Sequence, residues 1–246
     1  MICYTKYMLS KIIIGVIILA AGVWAFGMIS KGGFGPRPSG FPGSQTQSNQ
    51  SSCPDPLVLQ TPVDIKKVTF ILYPGQERGG DFKPHGGFRF DNSKNDEIVV
   101  KAPMDAILSD ASRYIEQGEV QYLFDFQNSC GIRYRFDHLL VLTPKFAQIA
   151  ENLPPAKVDD SRTTHVSPEV SVTAGEVIAT SVGLRNNKNV FVDFGVYDIR
   201  GKGKFQNPKD SAICWFDLLP SEDAAKVKSL PPGDSQSGSK STLCKL

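Results

Sequence analysis

Two neighbouring segments of the chain, 119–127 and 132–142, alternate between apolar and polar positions. Because successive side chains of a strand point to opposite faces, this period of two predicts two half-buried strands. One face of the first carries Val120, Tyr122, Phe124 and Phe126. In the second, one face carries Ile132, Tyr134, Phe136 and His138, and the other carries Arg133, Arg135 and Asp137. The turn-like residues 128–131 between them predict a β-hairpin.

Other runs rich in β-branched and aromatic residues predict strands at 68–73, 97–101, 169–173 and 189–199. The segment 144–152 predicts a helix, because it begins with a proline at a first-turn position. The polar segment 153–168, which contains proline, predicts a loop. Together these patterns predict a mainly β domain, an antiparallel sheet with one or two short helices.

An unbroken apolar segment, 12–29 (IIIGVIILAAGVWAFGMI), contains no charged residue. At about 1.5 Å per residue it would reach roughly 27 Å, close to the ~30 Å hydrocarbon core of a bilayer. Lys6 and Lys11 precede it, as expected if residues 1–11 stay in the cytoplasm and the rest is exported. The alternative is a signal peptide cleaved at Val23-Trp24-Ala25. Because the apolar run continues past that site, we expect a retained anchor and a single-pass membrane protein.

The remaining chain divides by composition into three parts. Residues 30–56 are rich in Gly, Pro, Ser and Gln, which predicts a flexible spacer. It contains a glycosylation sequon at Asn49. Residues 57–220 hold the strand signals and predict the folded extracytoplasmic domain. Residues 221–246 predict a polar C-terminal tail with a short helix at 222–228.

Charge and cysteine content limit the function classes. With 27 basic and 25 acidic residues, the net charge is +2 and no dense basic stripe exists, so nucleic acid is not an expected partner. Beyond the predicted anchor lie four cysteines, Cys53, Cys130, Cys214 and Cys244, an even number that predicts disulfides in an oxidising compartment. Three pairings are open. No CxxC pair or Cys/His cluster has zinc-finger spacing.

Several short segments occur in a fixed order between residues 68 and 199. They are KPHGGFRF at 83–90, VKAPMDAIL at 100–108, YRFDHL at 134–139, TAGEVIATSVG at 173–183 and NVFVDFG at 189–195. In this order they resemble the motifs of the lysostaphin-type, LytM-like zinc endopeptidases, which cut peptidoglycan cross-links. The resemblance implies an antiparallel β-sheet sandwich of that type, preceded here by one transmembrane helix.

The chain departs from that family at the metal site. The family holds zinc with the His and Asp of H-x-x-x-D and the second His of H-x-H. The matching residues here are His85, Arg89 and Asp193, while Phe191 replaces the first His of H-x-H. His138 matches the other catalytic histidine. Because a guanidinium has no lone pair to donate and keeps its charge, Arg89 cannot bind a metal. We therefore expect a degenerate site without a cofactor, whose binding groove contains His85, Arg89, His138, Phe191 and Asp193.

Two further arrangements of these residues are open. Arg89 and Asp193 could form a bidentate ion pair in place of zinc, or both could face solvent. Alternatively, His85, Asp91 and Asp193 could gather around zinc with His138 as the acid/base. That site would require a sharp bend of the chain at Gly86 and Gly87.

Three function classes follow from the sequence. The first is a catalytically inactive, membrane-anchored LytM-like module that binds cell-wall polymer or regulates an envelope hydrolase. The second is an active metal-dependent cell-wall endopeptidase with altered ligands. The third is a structural envelope protein whose sheet supports a partner surface.

Overall fold

The computed structural model describes residues 53–200, 202 and 207–245. The segments predicted as the N-terminus (1–11), the anchor (12–29) and most of the spacer (30–56) lie outside the described residues. Within the described part, no helix is long and apolar enough to cross a bilayer. The described residues belong to one compact unit.

The described residues form eleven strands and three α-helices, with three short 3₁₀ turns between them. The strands are β1 (Phe70–Leu72), β2 (Gln76–Arg78), β3 (Asp81–Lys83), β4 (Gly86–Arg89), β5 (Val100–Lys101), β6 (Ala106–Glu116), β7 (Glu119–Gln127), β8 (Ile132–Leu142), β9 (Thr164–Val172), β10 (Val177–Val182) and β11 (Phe191–Asp198). The helices are α1 (Pro144–Glu151), α2 (Pro208–Ser211) and α3 (Ser221–Ser229).

Nine strands form one antiparallel sheet, and β2 and β3 form a separate two-stranded ribbon. The order of the main path is β1-β4-β11-β8-β7-β6-β9, and β10, paired with β5, joins it at β8. The prediction of a mainly β, antiparallel domain with few helices is therefore confirmed, with three α-helices in place of one or two.

Strand β8 changes partner along its length. Residues 132–137 pair with β11, whereas Leu139, Val141 and Leu142 pair with β10. The change falls at His138, which has a positive φ of 62°. The sheet therefore branches at this residue.

The strongest patterns in the sequence are reproduced. β7 and β8 have the predicted bounds, and α1 ends one residue before the predicted 144–152. The hairpin turn also forms, with the Gly131 N–H donating to the Asn128 carbonyl at 3.0 Å. β6 escapes prediction because the pairing register shifts between Leu108 and Asp110 and interrupts its alternation. β9 begins within the predicted loop 153–168, because an outer strand with one neighbour tolerates polar residues and Pro168.

The main sheet has one aromatic face. Large side chains on it are completely buried and in ring contact; among them are Phe88, Phe124, Phe126, Phe136, Phe194 and Trp215. Burial of this apolar surface is the main favourable term for folding.

The opposite face of the sheet carries buried charges. Asp125 of β7 is completely buried between Arg133 at 2.8 Å and Arg135 at 2.6 Å. Burial alone would raise the pKa of Asp125, but the hydrogen bonds and charges of both arginines hold this pKa below its ordinary value. Arg133 also contacts Asp110 at 3.1 Å. Strands β6, β7 and β8 are thus joined by ion pairs on this face as well as by backbone hydrogen bonds.

The segment predicted as a polar tail, 221–246, belongs to the domain. Ala224, Val227 and Leu230 are buried, and Cys244 forms a disulfide with Cys214. A second disulfide joins Cys53 to Cys130. The disulfide prediction is confirmed, and each terminal arm is covalently attached. The short helix predicted at 222–228 forms as α3, but the segment is not a free tail, because buried apolar residues, backbone hydrogen bonds and the disulfide hold it to the domain.

We expect Asp125→Asn to lower the free energy of unfolding by about 3 kcal/mol, because it removes the buried carboxylate that lies between the guanidinium groups of Arg133 and Arg135. Urea denaturation measures the loss. Asp160→Asn is the matched control, since it breaks the exposed pair with Arg162 and should leave the unfolding midpoint unchanged. Equal effects of the two substitutions would contradict the role given to Asp125.

Candidate functional site

A cleft of about 410 Å³ opens on the charged face of the sheet, near the branch in β8. Its walls combine apolar, basic and acidic side chains. It is lined by Leu72, Arg78, Lys83, His85, Leu123, Arg135, Asp137, His138, Ser161, Phe191 and Asp193. Four of the five predicted groove residues, His85, His138, Phe191 and Asp193, therefore meet in one place.

Asp193 lies at the centre of the cleft and is paired with His85. Asp193 stands on β11 opposite Gly87 of β4, and a Cβ at Gly87 would lie 2.9 Å from the Asp193 Oδ1. Glycine at this position therefore leaves room for the carboxylate. His85, immediately before β4, donates from Nε2 to the Asp193 Oδ2 at 3.0 Å.

The electrostatic environment of Asp193 favours its ionised form. Burial alone would raise the pKa of Asp193, but the charge of His85 and its hydrogen bond, with the charges of His138 and Arg78, hold this pKa well below its ordinary value. The cleft therefore contains a fixed negative charge with basic groups around it.

Arg89 is not part of the cleft lining. It pairs in the sheet with Phe191, and its guanidinium donates to the Asp91 Oδ1 at 3.3 Å. Its side chain lies against Gly233, where an added Cβ would be 2.9 Å from the Arg89 Cδ. The hypothesis of an Arg89–Asp193 ion pair is wrong, because each side chain has a different, nearer partner.

His138 enters the cleft through an irregularity of β8. Its backbone has the left-handed conformation, and its N–H donates to the Asp137 Oδ1 at 2.8 Å. The Tyr114 hydroxyl donates to the same oxygen at 2.7 Å. Asp137 thus stabilises a conformation that few non-glycine residues adopt.

The ring of His138 lies near groups from two other strands, β11 and β6. Its centroid lies 4.4 Å from that of Phe191, its Nε2 is 3.9 Å from the Asp193 Oδ2, and its Nδ1 is 3.7 Å from the Glu116 Oε2. The sequence prediction placed His138 on the face of Tyr134 and Phe136. That prediction is wrong, because strict alternation ends at the positive φ.

Several residues that shape the cleft escaped prediction. Arg78 of the β2–β3 ribbon donates to the backbone carbonyl of His85 at 3.0 Å, and Tyr114 and Glu116 belong to the unpredicted β6. Asp125, which also escaped prediction, pairs with Arg133 and Arg135 beside the cleft. No local pattern distinguishes these residues, because their roles depend on contacts between distant strands.

The donor set does not fit a catalytic zinc ion. Zinc needs three neutral or anionic protein ligands and an open position. Among the residues that the structure describes, no three His, Cys, Asp or Glu side chains are grouped to hold a metal ion. The alternative set of His85, Asp91 and Asp193 does not assemble, since Asp91 contacts Arg89 instead.

Asp193 should make stability depend on acid pH. A folded-state pKa below the ordinary value of about 3.9 means that the ionised carboxylate stabilises the fold above about pH 4, and that this contribution is lost as the pH falls further. We expect urea denaturation between pH 7 and pH 3 to show a smaller loss of stability in Asp193→Asn than in the wild type. Asp81→Asn, at an exposed site, should keep the wild-type slope; a wild-type slope in Asp193→Asn would contradict the pairing.

The backbone at residue 138 predicts an unusual order of stability. We expect His138→Gly to be more stable than His138→Ala by about 1 kcal/mol, because both lose the ring and only glycine adopts a left-handed φ freely. Thermal denaturation compares the two. At the exposed β8 position Val141, the order should reverse, with alanine the more stable. A reversed order at residue 138 would show that its backbone is not strained.

No protein-family model, curated protein or solved structure matches this chain. The likeness to LytM-like endopeptidases therefore remains a prediction from the motif residues.

Proposed function

We propose that this chain is a membrane-anchored, exported LytM-like domain that does not cut, and that its cleft binds cell-wall polymer. The observation that carries the proposal is the hydrogen bond from His85 to Asp193 at 3.0 Å. These two residues match zinc ligands of the LytM-like family, and here His85 hydrogen-bonds to Asp193. Arg89, which matches the third ligand, points to Asp91.

The position of Arg89 supports the inactive assignment. A guanidinium cannot ligate zinc, and here it points to Asp91 outside the cleft, so this motif position supplies no donor to a metal. Poorly held zinc would not lower the pKa of a bound water enough to generate a nucleophile near neutral pH. Of the three positions that match zinc ligands, only those of His85 and Asp193 supply a donor. The site therefore favours binding of a ligand over its hydrolysis.

The shape and chemistry of the cleft support ligand binding. Leu72, Leu123 and Phe191 give it apolar surface, while Asp193, His138 and Lys83 offer charged or hydrogen-bonding groups. Binding sites commonly combine apolar surface with a few placed polar groups. A cell-wall polymer that carries short peptides and sugars has both kinds of surface.

The rest of the chain supports a position at the envelope. The predicted anchor and spacer would hold the domain near the outer side of a membrane, and two disulfides suit an oxidising compartment. An envelope hydrolase that the domain regulates is the alternative ligand of the same cleft. The co-sedimentation experiment below tests this alternative, since it predicts no pelleting with peptidoglycan.

Co-sedimentation with purified peptidoglycan tests the proposal, using the full chain in detergent. We expect wild-type protein to pellet and Phe191→Ala and His138→Ala to bind at least tenfold more weakly, because both lose cleft surface. Val99→Ala, at an exposed position outside the cleft, is the control. Equal pelleting of all variants would favour a structural role, and no pelleting at all would leave a protein partner as the surviving alternative.

Metal analysis separates recognition from catalysis. The full chain is loaded with zinc, dialysed and analysed. We expect less than stoichiometric zinc, with the same content in Asp193→Ala. Stoichiometric zinc that disappears in Asp193→Ala, together with release of peptidoglycan fragments, would overturn the inactive assignment.

A further inference from the structure

The last residues of the domain, 230–245, form a segment that we call the C-terminal strap. It begins beside β1, where the Ile71 N–H donates to the Pro231 carbonyl at 3.0 Å and the Gly233 N–H donates to the Ile71 carbonyl at 2.7 Å. The strap thereby covers the edge of the main sheet that β1 would otherwise expose.

The strap then runs along the turn that leads into β2. The Thr242 N–H donates to the Gly75 carbonyl at 3.0 Å, and the Gln76 Nε2 donates to the Gly238 carbonyl at 2.7 Å. Leu243 occupies the space of a side chain at Gly75, where a Cβ would lie 2.7 Å from the Leu243 Cγ. Contacts over this length fix the position of the turn.

A chain of hydrogen bonds connects the strap to the cleft. Gln76 is buried, and its Oε1 accepts from the Tyr73 N–H at 3.1 Å and from Arg78 at 3.4 Å. Arg78 in turn donates to the His85 carbonyl at 3.0 Å. Because His85 donates to Asp193, the strap supports the central pair of the cleft through Gln76 and Arg78.

The disulfide between Cys214 and Cys244 fastens the far end of the strap to the core. Cys214 directly precedes Trp215, whose ring lies 4.9 Å from Phe88 and 5.0 Å from Phe194. These two phenylalanines belong to β4 and β11, the strands beneath the cleft. Between its buried ends, Leu230 and Cys244, the strap consists mostly of polar and glycine residues, so the covalent link carries much of its attachment.

We propose that the Cys214–Cys244 disulfide fastens the cleft through the strap, so that opening this disulfide loosens the site. A dithiol reductant would transfer two electrons and two protons to it, leaving two cysteine thiols and an oxidised dithiol. Release of the strap then frees Gln76 and Arg78, and the His85–Asp193 pair loses its support. The consequence for ligand affinity rests on the proposed function; the change in cleft geometry does not.

Histidine NMR of the full chain in detergent tests the fastening, because the protein has only 3 histidines. The test variant is Cys214→Ser/Cys244→Ser. The matched control is Cys53→Ser/Cys130→Ser, which removes the disulfide at the β7–β8 turn. We expect the test variant to shift the His85 imidazole signal and to speed amide exchange at Gly233 and Thr242 at least tenfold. The control should keep wild-type values at all three residues.

Reduction with dithiothreitol should give the control variant the His85 shift of the test variant. An unchanged His85 signal and unchanged amide exchange in the test variant would overturn the proposal. Gln76→Leu covers the case in which the test variant does not fold, since it keeps the disulfide and cuts the connection to Arg78. A wild-type His85 signal in Gln76→Leu would equally overturn it. None of these outcomes depends on binding to peptidoglycan.

Discussion

A buried carboxylate must be paired, and the cleft is arranged around the partners of Asp193. The residue is only 9% exposed, so ionisation without compensating groups would be costly. His85 supplies a direct hydrogen bond, and His138 and Arg78 supply charge. Each partner comes from a different part of the chain. The compensation of the Asp193 charge therefore depends on the ribbon, β4, β8 and β11 together.

The same requirement governs the layer beside the cleft. Asp125 is completely buried, and its two arginines come from alternate positions of β8. This arrangement fixes one face of β8 as charged up to Asp137. At His138 the backbone turns into the left-handed region, the strand exchanges β11 for β10, and the imidazole moves beside Phe191. The left-handed backbone of His138 therefore lies where the sheet branches and also directs the imidazole into the cleft.

The sequence predicts the parts of this structure that depend on local periodicity. β7, β8 and α1 have strong patterns and were placed within a residue. The meeting of His85, His138, Phe191 and Asp193 followed from motif order. The first part of β9, the irregular β6 and the attachment of the C-terminal segment were not predictable, because distant pairing and a disulfide decide their conformation.

The partners of the site residues were harder to predict than the residues themselves. The sequence allowed Arg89 to pair with Asp193 in place of zinc, since the two charges are opposite, and it also allowed both side chains to face solvent. The geometry assigns that role to His85, because Gly87 leaves room for the carboxylate beside β4 and Arg89 lies nearer to Asp91. Charge alone could not decide between Arg89 and His85, which lie at opposite ends of β4, the strand that neighbours Asp193.

The central claim is that His85 hydrogen-bonds to Asp193 at two positions where the motifs that this sequence resembles carry zinc ligands. Nitrogen-15 NMR of the His85 imidazole, recorded with and without equimolar zinc, tests it most directly. We expect a protonated Nε2 that is hydrogen-bonded to Asp193, with a nitrogen-15 shift that zinc does not change. Loss of the Nε2 proton, with the shift of a metal-bound nitrogen on addition of zinc, would contradict it.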